Sequence, residues 1–158
     1  GLFNEKHIIR NLEIFAKPAK TGLAAPFHQD NFYWNLKNEK AVNIWIALDK
    51  VNKNNGGLIY LKKSHKLGTL SHTVSNTPGS SQEIKKYKIN KFKFIKVSPK
   101  LNPGDCIIHH CNVIHGSNVN KSNQKRRAIV ISFKAEKTKI DKKKILKNLL
   151  KLKKKLVS

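Results

Sequence analysis

The chain has 158 residues, 39% hydrophobic and 8% aromatic, with 33 Lys plus Arg against nine Asp plus Glu for a formal net charge of +24. At about 150 residues per domain it reads as one domain, able to bury a core without staples and too apolar for a wholly disordered chain. No run approaches the ~20 apolar residues of a membrane span, no apolar leader with a cleavage site argues for secretion, and two cysteines cannot build a disulfide framework, so a reducing, cytoplasmic setting is expected.

Residues 11–18 (NLEIFAKP) read as a strand stopped by its proline. Residues 21–26 (TGLAAP) form a connection leading into Phe27, His28, Gln29 and Asp30. Residues 41–48 (AVNIWIAL) are the clearest strand, with Val42, Ile44 and Ile46 on one face and Asn43, Trp45 and Ala47 on the other. Residues 53–57 (KNNGG) signal a turn, and 57–61 (GLIYL) the strand after it. The polar stretch 62–91 reads as a long loop with one helical turn, and loops of that length are usually functional or mobile. Strands resume at 92–97, 105–109, around 113–115, and at 127–134. Short strands between turns predict an all-β sandwich or barrel, here a domain over residues 1–135. In the tail, 136–158, Ile145, Leu149, Leu152 and Leu156 recur at helical spacing among lysines. That pattern predicts a basic amphipathic helix, docked on the sheet or, alternatively, lying on a membrane surface.

The charge suggests a nucleic-acid binder, yet only Arg10, Arg126 and Arg127 among the 33 basic residues are arginine. Phosphate and base readers favour the arginine fork. Lys, Asn and Ile, all abundant here, share AT-rich codons, so composition bias accounts for much of the charge and no specific nucleic-acid partner is expected.

His28 and Asp30 flank Gln29, so in extended backbone they share a face while Gln29 points away. An imidazole and a carboxylate side by side, joined by a second His, form the facial triad of non-haem Fe(II) oxygenases. Alone, the triplet is a weak signal in a chain with seven histidines. Further on, the turn Asn102-Pro103-Gly104-Asp105 leads into an apolar strand, then His115-Gly116-Ser117, then Arg126-Arg127. A His and an Arg on successive strands can face one pocket, where a guanidinium takes a carboxylate in a fork. Only one of Arg126 and Arg127 can look inward. His109, His110, Cys111 and His115 could instead hold zinc, although no paired CxxC accompanies them.

The ordered set HQD, NIWIALD, NNGGLIYLKKSHK, LNPGDCIIHHCNVIHGS and RRAIVISF resembles the phytanoyl-CoA dioxygenase family of Fe(II)- and 2-oxoglutarate-dependent oxygenases. The resemblance covers roughly residues 12–133. It implies a double-stranded β-helix (jelly roll, cupin-like) and a dioxygenase that hydroxylates an unactivated C–H bond of a small-molecule substrate, turning 2-oxoglutarate and O2 into succinate. Carried over by motif, it implies His28, Asp30 and His115 as iron ligands, Arg126 as the 2-oxoglutarate anchor, Ser117 adding a hydroxyl to the same carboxylate, and Trp45 walling the pocket. It also implies hydroxylation rather than halogenation, because Asp30 is present, and a longer N-terminal part than the 27 residues before His28. The competing expectation is a non-catalytic cupin-like or basic domain that binds nucleic acid or an acidic partner. Tyr33 and Trp34 follow the triplet closely enough to line a substrate entrance or simply to pack.

Overall fold

Residues 4–156, with side chains to residue 150, are described by a computed structural model. The first half of the chain contributes β1 (His7–Lys17), β2 (Ala25–His28), the short helix α1 (Asp30–Trp34), β3 (Ala41–Ala47) and β4 (Leu58–Leu61). A connecting segment carries a 3-10 turn (Ser64–Leu67), the small pair β5 (Thr73–Val74) and β6 (Gln82–Glu83), and α2 (Lys86–Asn90). The second half follows with β7 (Lys96–Val97), β8 (Cys106–His110), β9 (His115–Ser117), β10 (Arg126–Ala135) and the helix α3 (Lys142–Leu156).

The two halves pair strand for strand: β1 with β10, β2 with β9, β3 with β8 and β4 with β7, all antiparallel. This long folded-back ribbon coils so that successive strands alternate between two sheets, ordered β1-β10-β3-β8 and β2-β9-β4-β7. The result is an all-β jelly roll, the double-stranded β-helix that the resemblance implies.

Alternation of side chains decides what faces the interior. Along β10, Arg126, Ala128, Val130 and Ser132 are buried, while Ile129, Ile131 and Phe133 between them are only half-buried on the outside. Along β3, Asn43, Trp45 and Ala47 share one face, as the alternation predicts, and that face is the inward one. The apolar core is split because polar groups occupy the middle. Trp45, Ala47, Val51, Ala128 and Val130 fill one end. Leu61, Ile84, Ile89 and Ile114 form a second cluster beneath the connecting segment.

That segment is more ordered than a loop. Ile84 and Ile89 bury their side chains, Ile84 N–H donates to Phe27 O (2.8 Å), and the Tyr33 hydroxyl donates to Gln82 O (3.2 Å). The strand expected at 92–97 shortens to Lys96–Val97, because the chain turns at Phe92 and sends Phe94 onto the second cluster. The tail helix forms, but its docking differs from expectation. Its start and Asn148 bond to Asn35 at the end of α1 rather than to a sheet, and Leu146, Leu149 and Leu150 are exposed. Leu152 and Leu156 lie outside the described side chains. Among the described residues no helix is long and apolar enough to cross a membrane.

Candidate metal centre

His28 ends β2 and sits directly opposite His115, the first residue of β9. Two strands far apart in sequence therefore deliver two imidazoles as a cross-strand pair, with ring centroids 4.4 Å apart. Gly116 makes the close approach possible: a Cβ there would lie 2.8 Å from Ala25 O. Asp30 is not on a strand but opens α1, and the extended Gln29 between them keeps His28 and Asp30 on one side. The ligand atoms of His28, Asp30 and His115 all lie within 4.8 Å of one another. Gln29 points the other way and is fully buried; its amide binds Gly68 O, Asn112 O and Leu70 N–H, fastening the connecting segment behind the site.

Both imidazoles are oriented by backbone. His28 Nδ1–H donates to Pro26 O (2.8 Å) and His115 Nδ1–H to Val113 O (3.1 Å), since a carbonyl only accepts. Each neutral ring then turns a bare Nε2 toward Asp30 Oδ1, at 3.8 and 3.7 Å. Burial, with His115 adding to it, pushes His28 down to about 4, and burial lowers His115 as well. Burial opposes the Asp30 charge, but His115, the hydrogen bond from His109 and His28 outweigh it and hold the carboxyl below its usual range. Near neutral pH the cluster offers two lone pairs and one carboxylate oxygen, the donor set of a facial triad.

Arg126 and His115 stand on successive strands, but these lie in opposite sheets, so the two enter the interior from opposite sides. Arg126 is 3% exposed, lies over the Trp45 ring at 5.4 Å, and donates from Nη2 to Gly56 O (3.1 Å). Its buried Nε has no hydrogen-bond acceptor. A buried guanidinium with an unmet donor fits an anionic ligand such as a carboxylate. Arg127 points outward and is bound through two nitrogens by Asp49, at 2.9 and 2.8 Å, so the choice between the arginines resolves to Arg126 as the inward one. Ser117 is buried on β9, opposite Leu58 and Ala25.

The zinc arrangement does not form. His110 lies on the opposite side of β8 from His109, Cys111 Sγ bonds Glu39 O, and among the described residues the metal-competent group is His28, Asp30 and His115. Tyr33 sits edge-on to His28 at 6.0 Å, while Trp34 packs elsewhere under the Arg10 guanidinium.

Five polar side chains at the site have roles that the sequence did not assign, His109 having stood out only as a zinc candidate. Asn43 and His109 contact Asp30, and Tyr60 contacts His109. His72 accepts from Gln29 N–H and stacks on Phe32. Lys17, on β1 directly opposite Arg126, is buried and donates to Leu23 O and Asn118 O. Lys17 next to the strand-ending Pro18 was readable as a strand terminus, but nothing marked it as inward-facing.

A family model described as phytanoyl-CoA dioxygenase (PhyH) matches residues 3–128, a span holding His28, Asp30, His115 and Arg126. The peroxisomal phytanoyl-CoA dioxygenase of Homo sapiens is 32% identical over 113 residues, 68% of this chain and 32% of that protein. The L-proline trans-4-hydroxylase of Streptomyces griseoviridis is 25% identical over 143 residues, 79% of this chain and 53% of that protein. Among solved structures, EctD from S. alaskensis with 2-oxoglutarate and 5-hydroxyectoine aligns over 89% of this chain and 48% of its own, with a TM-score of 0.71 at 21% identity, which shows a shared fold. The chain thus spans between a third and about half of the length of these curated relatives.

Proposed function

The chain belongs to the phytanoyl-CoA dioxygenase family, and on that premise we propose that it is an Fe(II)- and 2-oxoglutarate-dependent hydroxylase of a small-molecule C–H bond. One observation carries the proposal: two imidazoles and a carboxylate, from residues 28, 30 and 115, converge with their free donor atoms within 4.8 Å. When bound, ferrous iron supplies with 2-oxoglutarate and O2 the oxidising power for hydroxylation, 2-oxoglutarate leaving as succinate and CO2.

The protein's own part is binding and positioning. His28, Asp30 and His115 would hold the metal, their orientation fixed by Pro26 O and Val113 O on the imidazoles. Arg126 would take the distal carboxylate of 2-oxoglutarate through its guanidinium, whose Nε–H is unmet, with Ser117 adding a hydroxyl and Trp45 forming the wall beneath. His115, Arg126, Ser117 and Trp45 are buried and His28 and Asp30 half-buried, which limits bulk water at the reacting atoms and strengthens the charged contacts. The two free cysteines suit a reducing compartment, and we place the chain in the cytoplasm.

The test is succinate release from 2-oxoglutarate, with tight-binding assays alongside. His28→Ala, Asp30→Ala and His115→Ala should each abolish turnover, and substantial turnover in all three would end the proposal. Arg126→Ala should chiefly weaken 2-oxoglutarate binding, by about the 1.5–3 kcal/mol of a charged hydrogen-bonded contact; unchanged affinity would remove Arg126 from the assignment.

A further inference from the structure

Two rows of cross-strand neighbours face each other across the interior. In one sheet β2, β9 and β4 align His28, His115 and Tyr60. In the other β10, β3 and β8 align Ser132, Asn43 and His109. Asp30 enters between the rows, and its two oxygens meet different kinds of group. Oδ1 faces the bare Nε2 atoms of His28 and His115. Oδ2 accepts from Asn43 Nδ2 at 2.8 Å and from His109 Nε2 at 3.3 Å.

Each of those two donors has a keeper. The Ser132 hydroxyl donates to Asn43 Oδ1, which leaves the Asn43 amide nitrogen for Asp30. The Tyr60 hydroxyl, 3.1 Å from His109 Nδ1, sits where only one tautomer serves both contacts. A carboxylate accepts and never donates, so His109 carries its proton on Nε2 and Nδ1 accepts from Tyr60. The same proton stops His109, despite lying 4.8 Å from the His115 ring, from offering a lone pair to a metal. All four residues are buried, so none of these bonds competes with bulk water.

We infer that Ser132–Asn43 and Tyr60–His109 form a two-armed clamp that commits one oxygen of Asp30 to the metal and the other to the protein. These are positioning residues: they act on the metal only through Asp30. The inference rests on the metal reading proposed above and adds what keeps its carboxylate binding through a single oxygen. Outer contacts of this kind are worth 10–100-fold in metal affinity.

Co(II) added alone to the metal-free chain, followed by its visible absorption, reads the site without turnover. Against wild type, His109→Leu should weaken Co(II) binding by about 10–100-fold, and His109→Gln, whose amide can still donate to Asp30, should recover most of it. Tyr60→Phe should give a smaller loss, and nitrogen-15 spectra of His109 should change from one tautomer with a bare Nδ1 to a mixture. Unaltered Co(II) affinity in His109→Leu beside a binding wild type would overturn the clamp alone, whereas a wild type that binds no Co(II) would overturn the metal reading and the clamp with it. If thermal unfolding shows that His109→Leu does not fold, the nitrogen-15 spectra of the wild type decide: a His109 protonated on Nδ1 overturns the inference.

Discussion

Lys17 and Arg126 lie opposite each other on β1 and β10, on the inner face, and among the described residues neither meets a carboxylate. Burial, with Arg126 adding to it, pushes the Lys17 amine down to about 8, and burial pushes Arg126 down to about 10. Two cations sharing one low-dielectric space make an anion welcome. The sign follows: a bound dianion favours the charged amine, so it raises the Lys17 midpoint, and binding above pH 8 must draw in a proton. The Lys17 titration, followed by NMR of its side chain, should centre near pH 8 alone and move upward when 2-oxoglutarate is added, and 2-oxoglutarate affinity should fall as pH climbs past 8. A midpoint that ignores 2-oxoglutarate refutes the shared site. The roles of these inward polar residues, His109 beside Asp30 included, were not readable in the sequence for one reason. Asn43, His109, Tyr60 and Lys17 sit at alternating strand positions, where a polar side chain ordinarily marks the wet face. Here the interior itself is polar, so the usual rule runs backwards, and only residues tied to a recognisable motif, such as His28, Asp30 and His115, stood out.

Strands β3 and β10 were legible because their inner and outer positions alternate over five or more residues, and β8 because its apolar start follows the Asn102–Asp105 turn. Helix α1 was not, since its five residues give less than two turns of periodicity and its identity comes from the αL cap at Asn35 (φ 52) that ends it. The order of the connecting segment is hidden for a related reason: it comes from Ile84, Ile89 and Phe94 packing with Leu61 of β4, Phe27 of β2 and Ile114 just before β9, contacts that no local pattern announces. Helix α3 is the opposite case, obvious in sequence yet marginal in attachment. Among the described residues it joins the rest through the Asp141 N–H to Asn35 O bond and through Asn148, while its leucines at 146, 149 and 150 stay exposed. Deleting residues 142–158 should therefore cost stability no more than about 1 kcal/mol, the worth of one such hydrogen bond, and leave Co(II) affinity unchanged. A loss of Co(II) binding in that truncation would show that α3 supports the centre.

A net charge of +24 with only nine acidic residues means that folding gathers like charges. Salt screens such repulsion, over about 10 Å at 0.1 M, so the thermal midpoint should rise with sodium chloride. Each kcal/mol relieved moves it by roughly 2–4 °C for a chain of this size. A midpoint that falls with added salt would mean that specific ion pairs such as Lys40–Glu5 and Arg127–Asp49 outweigh the general repulsion. The coiled ribbon has its own consequence. The start of β1 and the end of β10 adjoin, with Glu136 N–H donating to Lys6 O, while the ribbon's far end lies in the connecting segment. One half brings His28 and Asp30, the other His115 and Arg126. Cut within that segment, the molecule becomes a split protein whose fragments each hold an incomplete set of ligands, and capture of a ferrous ion would then report their reunion.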